Sequence, residues 1–457
     1  MFRKILIANR GEIAVTVIRA CREMGIRTVA VCSTADRFAL HAQLADECVC
    51  IGPESSKDSY LNMQAILSAC LTAGAEAIHP GFGFLSENPV FSRLCQKCGI
   101  KFIGPSDEIM ELMGNKANAR ATAKQAGIPV IPGSAGVLTD AQDALREADR
   151  VGYPVLIKAS AGGGGRGMRP AFGPEEMISA FQMAKAEAKA CFGDDEVYLE
   201  KMLIRPRHIE IQLLSDEYGH VIHLGDRDCS IQRRNQKIIE EASSPFMTEE
   251  LRIRMGDAAV TLARRIGYTG VGTIEFLVDA DRNFYFMEMN TRIQVEHPIT
   301  EAITQVNLVQ EQIRSAAGEI LRYSQRDICF RGHAIECRIN AEDPEKDFRP
   351  SPGLIERLIL PGGQGVRIDS AIYQGYSVPP DYDSLLAKLI VWAPTRDEAI
   401  LRMRRALLEF LVIGVKTNID FHLSILREQD FLRGNYDNTY LSEKKAELLS
   451  ENPGVSP

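Results

Sequence analysis

Residues 284–298 read FYFMEMNTRIQVEHP, and the rhythm of that stretch decides how the chain is read. Glu288, Asn290, Arg292, Gln294 and Glu296 alternate with Met289, Thr291, Ile293 and Val295. Alternate residues of an extended chain point to opposite faces. One face therefore packs into a core. The other carries two carboxylates, a guanidinium and two amides, a set able to hold a metal, an anion and a proton acceptor together. The plain alternative is a solvent-facing strand, because half-buried antiparallel strands alternate in the same way. Solvated faces favour Lys, Thr and Ser, whereas this face has no Lys and runs on from an aromatic FYF.

The chain has 457 residues, 45% of them hydrophobic and 25% charged, with a net charge of −8. That length suggests roughly three domains. The acidic balance argues against a generic nucleic-acid or anionic-membrane surface, though not against a local anion pocket. The opening MFRKILIANR has too short an apolar stretch for a signal peptide. No run reaches the roughly 18 apolar residues of a membrane span. Eleven cysteines, an odd number in scattered apolar contexts, point to reduced thiols in a cytoplasmic protein. The CxxC of Cys95 and Cys98 lacks a second pair or a nearby His. It reads as a helix end carrying two thiols rather than as a metal site.

Strands at 4–8, 27–32, 75–78 and 101–103 alternate with helices at 12–24, 60–72 and 88–97, which implies a parallel, doubly wound sheet. The first turn, NRGE at 9–12, lacks the dinucleotide glycine pattern. From about Gly114 the texture becomes α+β with an antiparallel sheet. Helices are expected at 139–150 and 174–190, and strands at 154–159, 196–203, 207–214, 219–224, 271–278 and 283–290. Asp281, Arg282 and Asn283 form the turn between the last two. From Arg331 strands dominate, at 333–340, 354–360, 365–370 and 385–392, followed by a helix at 395–411. The charged tail after Leu441 is expected to fray.

Lys158 ends a strand and leads into four consecutive glycines at 162–165, then Arg166 and Gly167. Glycine lets the backbone approach an anion, and successive N–H groups can form a phosphate nest. No Gly-Lys-Ser/Thr follows, so this is not a P-loop; a flexible surface loop is the alternative. Glu200, Lys201, Met202 and Leu203 end a strand, where free backbone groups can read an adenine edge. His208, Glu210 and Gln212 share one face of the next strand. Arg227, Arg233, Arg234 and Lys237 are dense enough to neutralise a triphosphate, or simply to be a solvated surface. Glu275 is expected to face Glu288 across a hairpin. With Asn290 that pair suits Mg²⁺ or Mn²⁺, hard ions that prefer oxygen. Arg292 and Glu296 are expected on one strand face, close enough for one anion to touch both, with the guanidinium lowering the carboxylate's pKa.

Together these residues resemble the biotin carboxylase family, a branch of the ATP-grasp ligases. The shared motifs span nearly the whole chain: KILIANRGEIA, HPGFGFLSEN, MGNK, KASAGGGGRGM, RDCSIQRRNQK, EMNTRIQVEHP, ECRINAEDP and PPDYDSLLAKLI. The resemblance implies a Rossmann-like N-terminal domain (1–114) and an ATP-grasp domain (115–330) whose mobile lid covers about 131–203. A mixed α/β C-terminal domain (331–446) and a tail (447–457) follow. It implies ATP-dependent carboxylation of carrier-bound biotin by bicarbonate, the first half-reaction of acetyl-CoA carboxylase, with pyruvate or propionyl-CoA systems as alternatives. The remaining readings are another ATP-grasp carboxylate–amine ligase and an idle nucleotide-binding subunit; the presence of Glu288 and Glu296 speaks against the latter.

Residue by residue, the resemblance puts Lys116, Lys158, Gly164 and Gly165 on ATP phosphates. Glu200, Lys201, Met202 and Leu203 fall around the adenine, with His208 on the ribose side and Asn235 near the nucleotide. Glu275, Glu288 and Asn290 would bind two Mg²⁺ ions, or Mn²⁺. Arg292, Gln294, Val295 and Lys237 would seat bicarbonate, with Glu296 as general base. Lys237 would also stabilise the phosphorus centre, and Arg338 the biotin enolate, beside Phe82. Three departures stand out: Phe82 where many relatives have Tyr, Asn235 where His is frequent, and Ala161 where Gly is frequent. The Met-Lys-Met context of a biotinylated lysine is absent, which implies a carrier protein in trans, together with carboxyltransferase subunits. A homodimer is implied as well, since Arg19 and Glu23 match a pair at the family's subunit contact; an ordinary intrahelical pair is the alternative.

Overall fold

The computed structural model describes residues 1–160 and 167–450. Ala161 and the glycine run, with Gly164 and Gly165, lie outside the described residues, as does 451–457.

Lys4–Ile7 (β1), Arg27–Ser33 (β2), Glu47–Gly52 (β3), Ala77–His79 (β4) and Lys101–Phe102 (β5) form a parallel sheet in the order β3-β2-β1-β4-β5. Strand β3 escapes the sequence reading because ECVCIG is a short, half-exposed edge strand without an alternating polar pattern. After β4 the chain turns at Gly81, whose φ is +63°. Asn9 Nδ2 donates to the carbonyls of Pro80 and Phe82, both at 2.7 Å. A Cβ on Gly81 would come within 2.9 Å of that amide, so only glycine fits the turn that presents Phe82 and Glu87.

Val155–Ala159 (β6), Met168–Ala171 (β7) and Val197–Lys201 (β8) make a small antiparallel sheet covered by helices Ala141–Val151 and Pro174–Phe192. Among the described residues its buried core, which includes Val155, Ile157, Met177, Phe181 and Leu199, draws only on residues 138–199. A unit with a core of its own can move as a body, because its displacement exposes little apolar surface elsewhere.

The central sheet is antiparallel. It comprises Arg207–Ser215 (β9), Val221–Arg233 (β10), Gln236–Ala242 (β11), Gly270–Val278 (β12), Phe284–Asn290 (β13), His333–Asn340 (β14), Val366–Ser370 (β15) and Leu385–Ala393 (β16). The order is β13-β12-β9-β10-β11-β14-β16-β15. Strands β14 to β16 thus extend this sheet rather than close a separate one. Ile293, Leu214 and Val271 pack with Ile5 and Ile7 of the N-terminal sheet and with Val17 of helix Gly11–Glu23, which fixes the two sheets against each other.

Three sequence expectations need correction. The strand expected at 219–224 runs on through DRDCSIQR, and RDCSIQRRNQK is a hairpin. Arg234 and Asn235 turn it with φ of 49° and 64°. The strand expected at 354–360 breaks into Gly353–Leu354 and Arg357–Ile359, which pair with different partners. The tail after Leu441 does not fray at once: Tyr440–Ser450 is helical, with Leu441 and Leu448 buried in the C-terminal core. Those two leucines lie seven residues apart and share a helix face that the charged composition concealed.

Three regions of the chain meet at Lys388, which is wholly buried on β16. Its Nζ donates to the Val295 carbonyl at 2.9 Å and lies 3.0 Å from Glu12 Oε2 and 3.8 Å from Asp369. Removing one member of a buried ion pair leaves an uncompensated charge. Lys388→Met should therefore lower the unfolding free energy by about 3–5 kcal/mol, read from urea denaturation. Adding Glu12→Gln should recover part of that loss, and strictly additive losses would contradict the pairing.

Candidate active site

The β12–β13 hairpin turns at Asp279, whose side chain accepts from the N–H groups of Asp281 and Asn283. Its register sets Glu275 opposite Glu288 and Thr273 opposite Asn290. Both carboxylates therefore project from one face of adjacent strands. Asn290 Nδ2 donates to Glu275 Oε1 at 2.9 Å.

The alternating stretch does not stay extended to its end. Strand β13 stops at Asn290, and the chain then turns into helix His297–Thr304 with Glu296 at the N-cap position. Pro298 in the first helical turn explains the switch, since that position needs no N–H donor. Glu87, from the loop after Gly81, clamps the turn. It accepts from Thr291 N–H at 3.1 Å and from Arg292 Nε at 2.8 Å. Arg292 also donates to Asn290 Oδ1 at 2.9 Å. Arg292 and Glu296 are thus not neighbours on a strand, and other cations serve Glu296.

Those cations are Lys237 and Arg338. Lys237 Nζ lies 2.6 Å from Glu296 Oε1, 2.7 Å from Glu210 Oε2 and 3.0 Å from Glu275 Oε1. Arg338 reaches the other oxygen of Glu296 at 3.0 Å and pairs with Glu240 at 2.6 Å. Burial alone would push the Glu296 carboxyl up. Lys237, Arg338 and Arg227 outweigh it and hold the group well below the usual carboxylate range. Burial likewise opposes the Lys237 charge, and the negative groups around it keep its pKa well above that of a free lysine.

Arg227 turns out to be framework, not a phosphate ligand. It is wholly buried. Its donors reach Glu210 at 2.5 Å, Gln212 at 2.6 Å, Thr300 at 2.9 Å, Thr273 at 3.2 Å and Gln294 at 2.6 Å. Gln294, held by its oxygen, donates through Nε2 to Glu275 at 2.8 Å. Arg233 and Arg234 also leave the site, lying 3.6 Å from Glu342 and 2.6 Å from Asp347 respectively. Of the dense basic run, Arg227 and Lys237 join the carboxylate cluster, both through Glu210.

A cavity of about 900 Å³ opens over this cluster, between the small sheet, the N-terminal turn and the central sheet. Most of the residues singled out in the sequence line it: Lys116, Lys158, Glu200, His208, Asn235, Lys237, Glu275, Glu288, Asn290, Arg292, Gln294, Val295, Glu296, Arg338 and Phe82. Lys201, Met202 and Leu203 do not; Lys201 turns away to donate to the carbonyls of Gly152 and Tyr153 at 2.9 and 2.7 Å. Lys158 pairs with Glu200 at 2.5 Å. His208 Nε2 lies 2.9 Å from Glu275 Oε2, while Nδ1 faces Gln232 at 3.0 Å. Burial pushes the Glu288 carboxyl up, and the Glu275 charge adds to that, with Lys116 3.9 Å away as an opposing cation. Sequence reading passed over Glu87 and Lys388, whose roles rest on contacts distant in the chain. Cys98 does end helix Pro89–Lys97, with Cys95 buried within it.

Comparison with known proteins matches this chain along its length. Residues 1–110 match the model for the biotin carboxylase N-terminal domain. Residues 115–324 match that for the carbamoyl-phosphate synthase L chain ATP-binding domain, and 336–443 that for the biotin carboxylase C-terminal domain. A biotin carboxylase of Nostoc sp. is 58% identical over 97% of this chain and 99% of its own length. One of the subunits of Methanothermobacter thermautotrophicus pyruvate carboxylase is 56% identical over 99% of this chain and 92% of its own. The biotin carboxylase domain dimer of Hydrogenobacter thermophilus 2-oxoglutarate carboxylase was solved with MgADP, ADP and bicarbonate. It superposes with a TM-score of 0.94 at 53% identity, covering 98% of this chain and 99% of that one. No helix among the described residues is long and apolar enough to cross a membrane. With a central carboxylate–lysine cluster under a nucleotide-sized cavity, and with relatives of this identity over nearly its full length, the chain belongs to the biotin carboxylase family of ATP-dependent ligases.

Proposed function

We propose that this biotin carboxylase acts on biotin carried by a separate carrier protein, with bicarbonate as carbon source and ATP as energy source, as the first half-reaction of acetyl-CoA carboxylase. The observation that carries the site assignment is Glu296 held between Lys237 and Arg338 at the cavity wall. A carboxylate kept ionised by two cations is in the protonation state that a base requires. Arg292, Gln294 and the Val295 backbone stand nearby as an anion seat.

Glu275 and Glu288 supply an oxygen-only donor pair, which suits Mg²⁺. The raised Glu288 carboxyl beside Glu275 fits that assignment, because a divalent cation there would offset their repulsion. Asn290 would join by giving up its bond to Arg292. The ion would neutralise phosphate charge. Lys116 and Lys158 would add point charges to the triphosphate, Lys158 leaving Glu200 to do so.

Glu296 takes the bicarbonate proton, and the freed oxygen attacks the γ-phosphorus of ATP. The bond to ADP breaks, giving carboxyphosphate and ADP. Lys237 meets the charge that develops on the transferring oxygens. Carboxyphosphate splits to CO₂ and phosphate, and phosphate removes the ureido proton of biotin. Arg338 stabilises the resulting anion, whose nitrogen attacks CO₂ to give carboxybiotin. The small sheet, closing as a body, would keep water from the intermediate.

Acetyl-CoA is the proposed final acceptor. A second reading, pyruvate, draws on the 56% identity to the archaeal pyruvate carboxylase component. A homodimer is also proposed. Arg19 and Glu23 are both exposed on helix Gly11–Glu23, and Glu23 accepts from Gln310 at 2.7 Å.

Glu296→Gln should bind MgATP within about twofold of the native chain yet lose bicarbonate-dependent ADP release by about 100- to 10,000-fold. Undiminished release would reject the base assignment. Lys237→Gln should depress kcat more than it raises KM for ATP; an effect on KM alone would make Lys237 a ground-state phosphate ligand. Capture of the biotinylated carrier with its transferase, followed by addition of acetyl-CoA or pyruvate, should give malonyl-CoA. Oxaloacetate instead would establish the second reading.

A further inference from the structure

The outer edge of the parallel sheet carries thiols that the carboxylation chemistry does not use. Cys32 on β2 and Cys48 on β3 have their sulfurs 3.4 Å apart. Cys32 is 4% exposed, whereas Cys48 and Cys50 are exposed. In register, Cys32 stands opposite Cys50, and Cys48 lies two residues earlier on the same strand. All three thiols therefore share one face of the sheet. Among the described residues strand β3 pairs with β2 alone in that sheet, so no further strand lies along its outer edge.

We propose that Cys32 and Cys48 form a dithiol site that hydroperoxides oxidise to a disulfide. The Cys48 thiolate attacks the outer peroxide oxygen; the O–O bond breaks, and water or an alcohol leaves with the proton released by the thiol. Cys48 is then a sulfenic acid. The Cys32 thiol gives up its proton and attacks the Cys48 sulfur, the S–O bond breaks, and a second water leaves. Two thiols are oxidised and one peroxide bond is reduced, so no further redox partner is needed.

Closing the bond requires the sulfurs to approach by about 1.4 Å, to the usual disulfide length. A strand at the edge of the sheet, held by ladder hydrogen bonds on one side, can follow that movement. Contact with Cys32 lowers the pKa of the Cys48 thiol, while contact with Cys48 and then burial raise that of Cys32. The accessible thiol is thus the more acidic of the two, as the first step demands. The site adjoins the wall of the cavity. Ser33, next in the chain, lies 2.6 Å from the Tyr382 hydroxyl, and Arg10 lies 4.0 Å over the Tyr382 ring. Arg10 and Tyr382 both line the cavity.

The test is treatment of the reduced full chain with hydrogen peroxide, then alkylation and peptide mass spectrometry. The expected product has lost the mass of two hydrogens, joins the Cys32 and Cys48 peptides, and reverts with dithiothreitol. Cys32→Ser should stop at a Cys48 sulfenic acid that dimedone labels. Cys50→Ser should form the same bond as the native chain. Direct over-oxidation of Cys48 with Cys32 still free would overturn the proposal. So would a Cys32–Cys50 bond in its place.

Discussion

One buried ammonium organises the site. Lys237 touches Glu210, Glu275 and Glu296, each from a different element of the fold. Arg227 completes the inner side of this cluster and Arg338 the outer side. Any one of these charges alone in the interior would carry a desolvation penalty of several kcal/mol. Together they balance, because the neighbouring strands β12, β9, β10, β11 and β14 of one sheet set these side chains side by side. Glu296 alone comes from outside the sheet. It sits at a helix N-terminus, where exposed N–H groups also favour negative charge.

That arrangement explains why the N-terminal sheet and the last strands matter to the carboxylate cluster beyond the stretches of cavity wall they supply. Glu87 grips the turn at 291–292, and Lys388 grips it at Val295. The turn is thereby pinned at both ends by contacts distant in the chain. The small sheet faces the cluster across the cavity with a separate core. A fixed floor and an independently packed cover suit a reaction whose intermediate must be shielded from water.

Much of this was legible in the sequence. The doubly wound N-terminal region, the Glu275–Glu288 pairing and most of the cavity lining follow from periodicity and motif. The helix that begins after Glu296 was hidden, because alternation of polar residues looks the same in a strand and in a turn followed by a cap. Arg227 was misjudged for a related reason. A basic run reads as surface or phosphate binder, and only the long β10 strand shows that this guanidinium points inward to five acceptors. Glu87 and Lys388 left no local signal, since each acts on a segment about 90 residues or more away.

The central claim is that bicarbonate, deprotonated at Glu296, attacks ATP itself. Turnover in bicarbonate labelled with heavy oxygen, with mass analysis of the inorganic phosphate released, tests it most directly. The account predicts one bicarbonate oxygen in each phosphate formed. Phosphate free of label would contradict it.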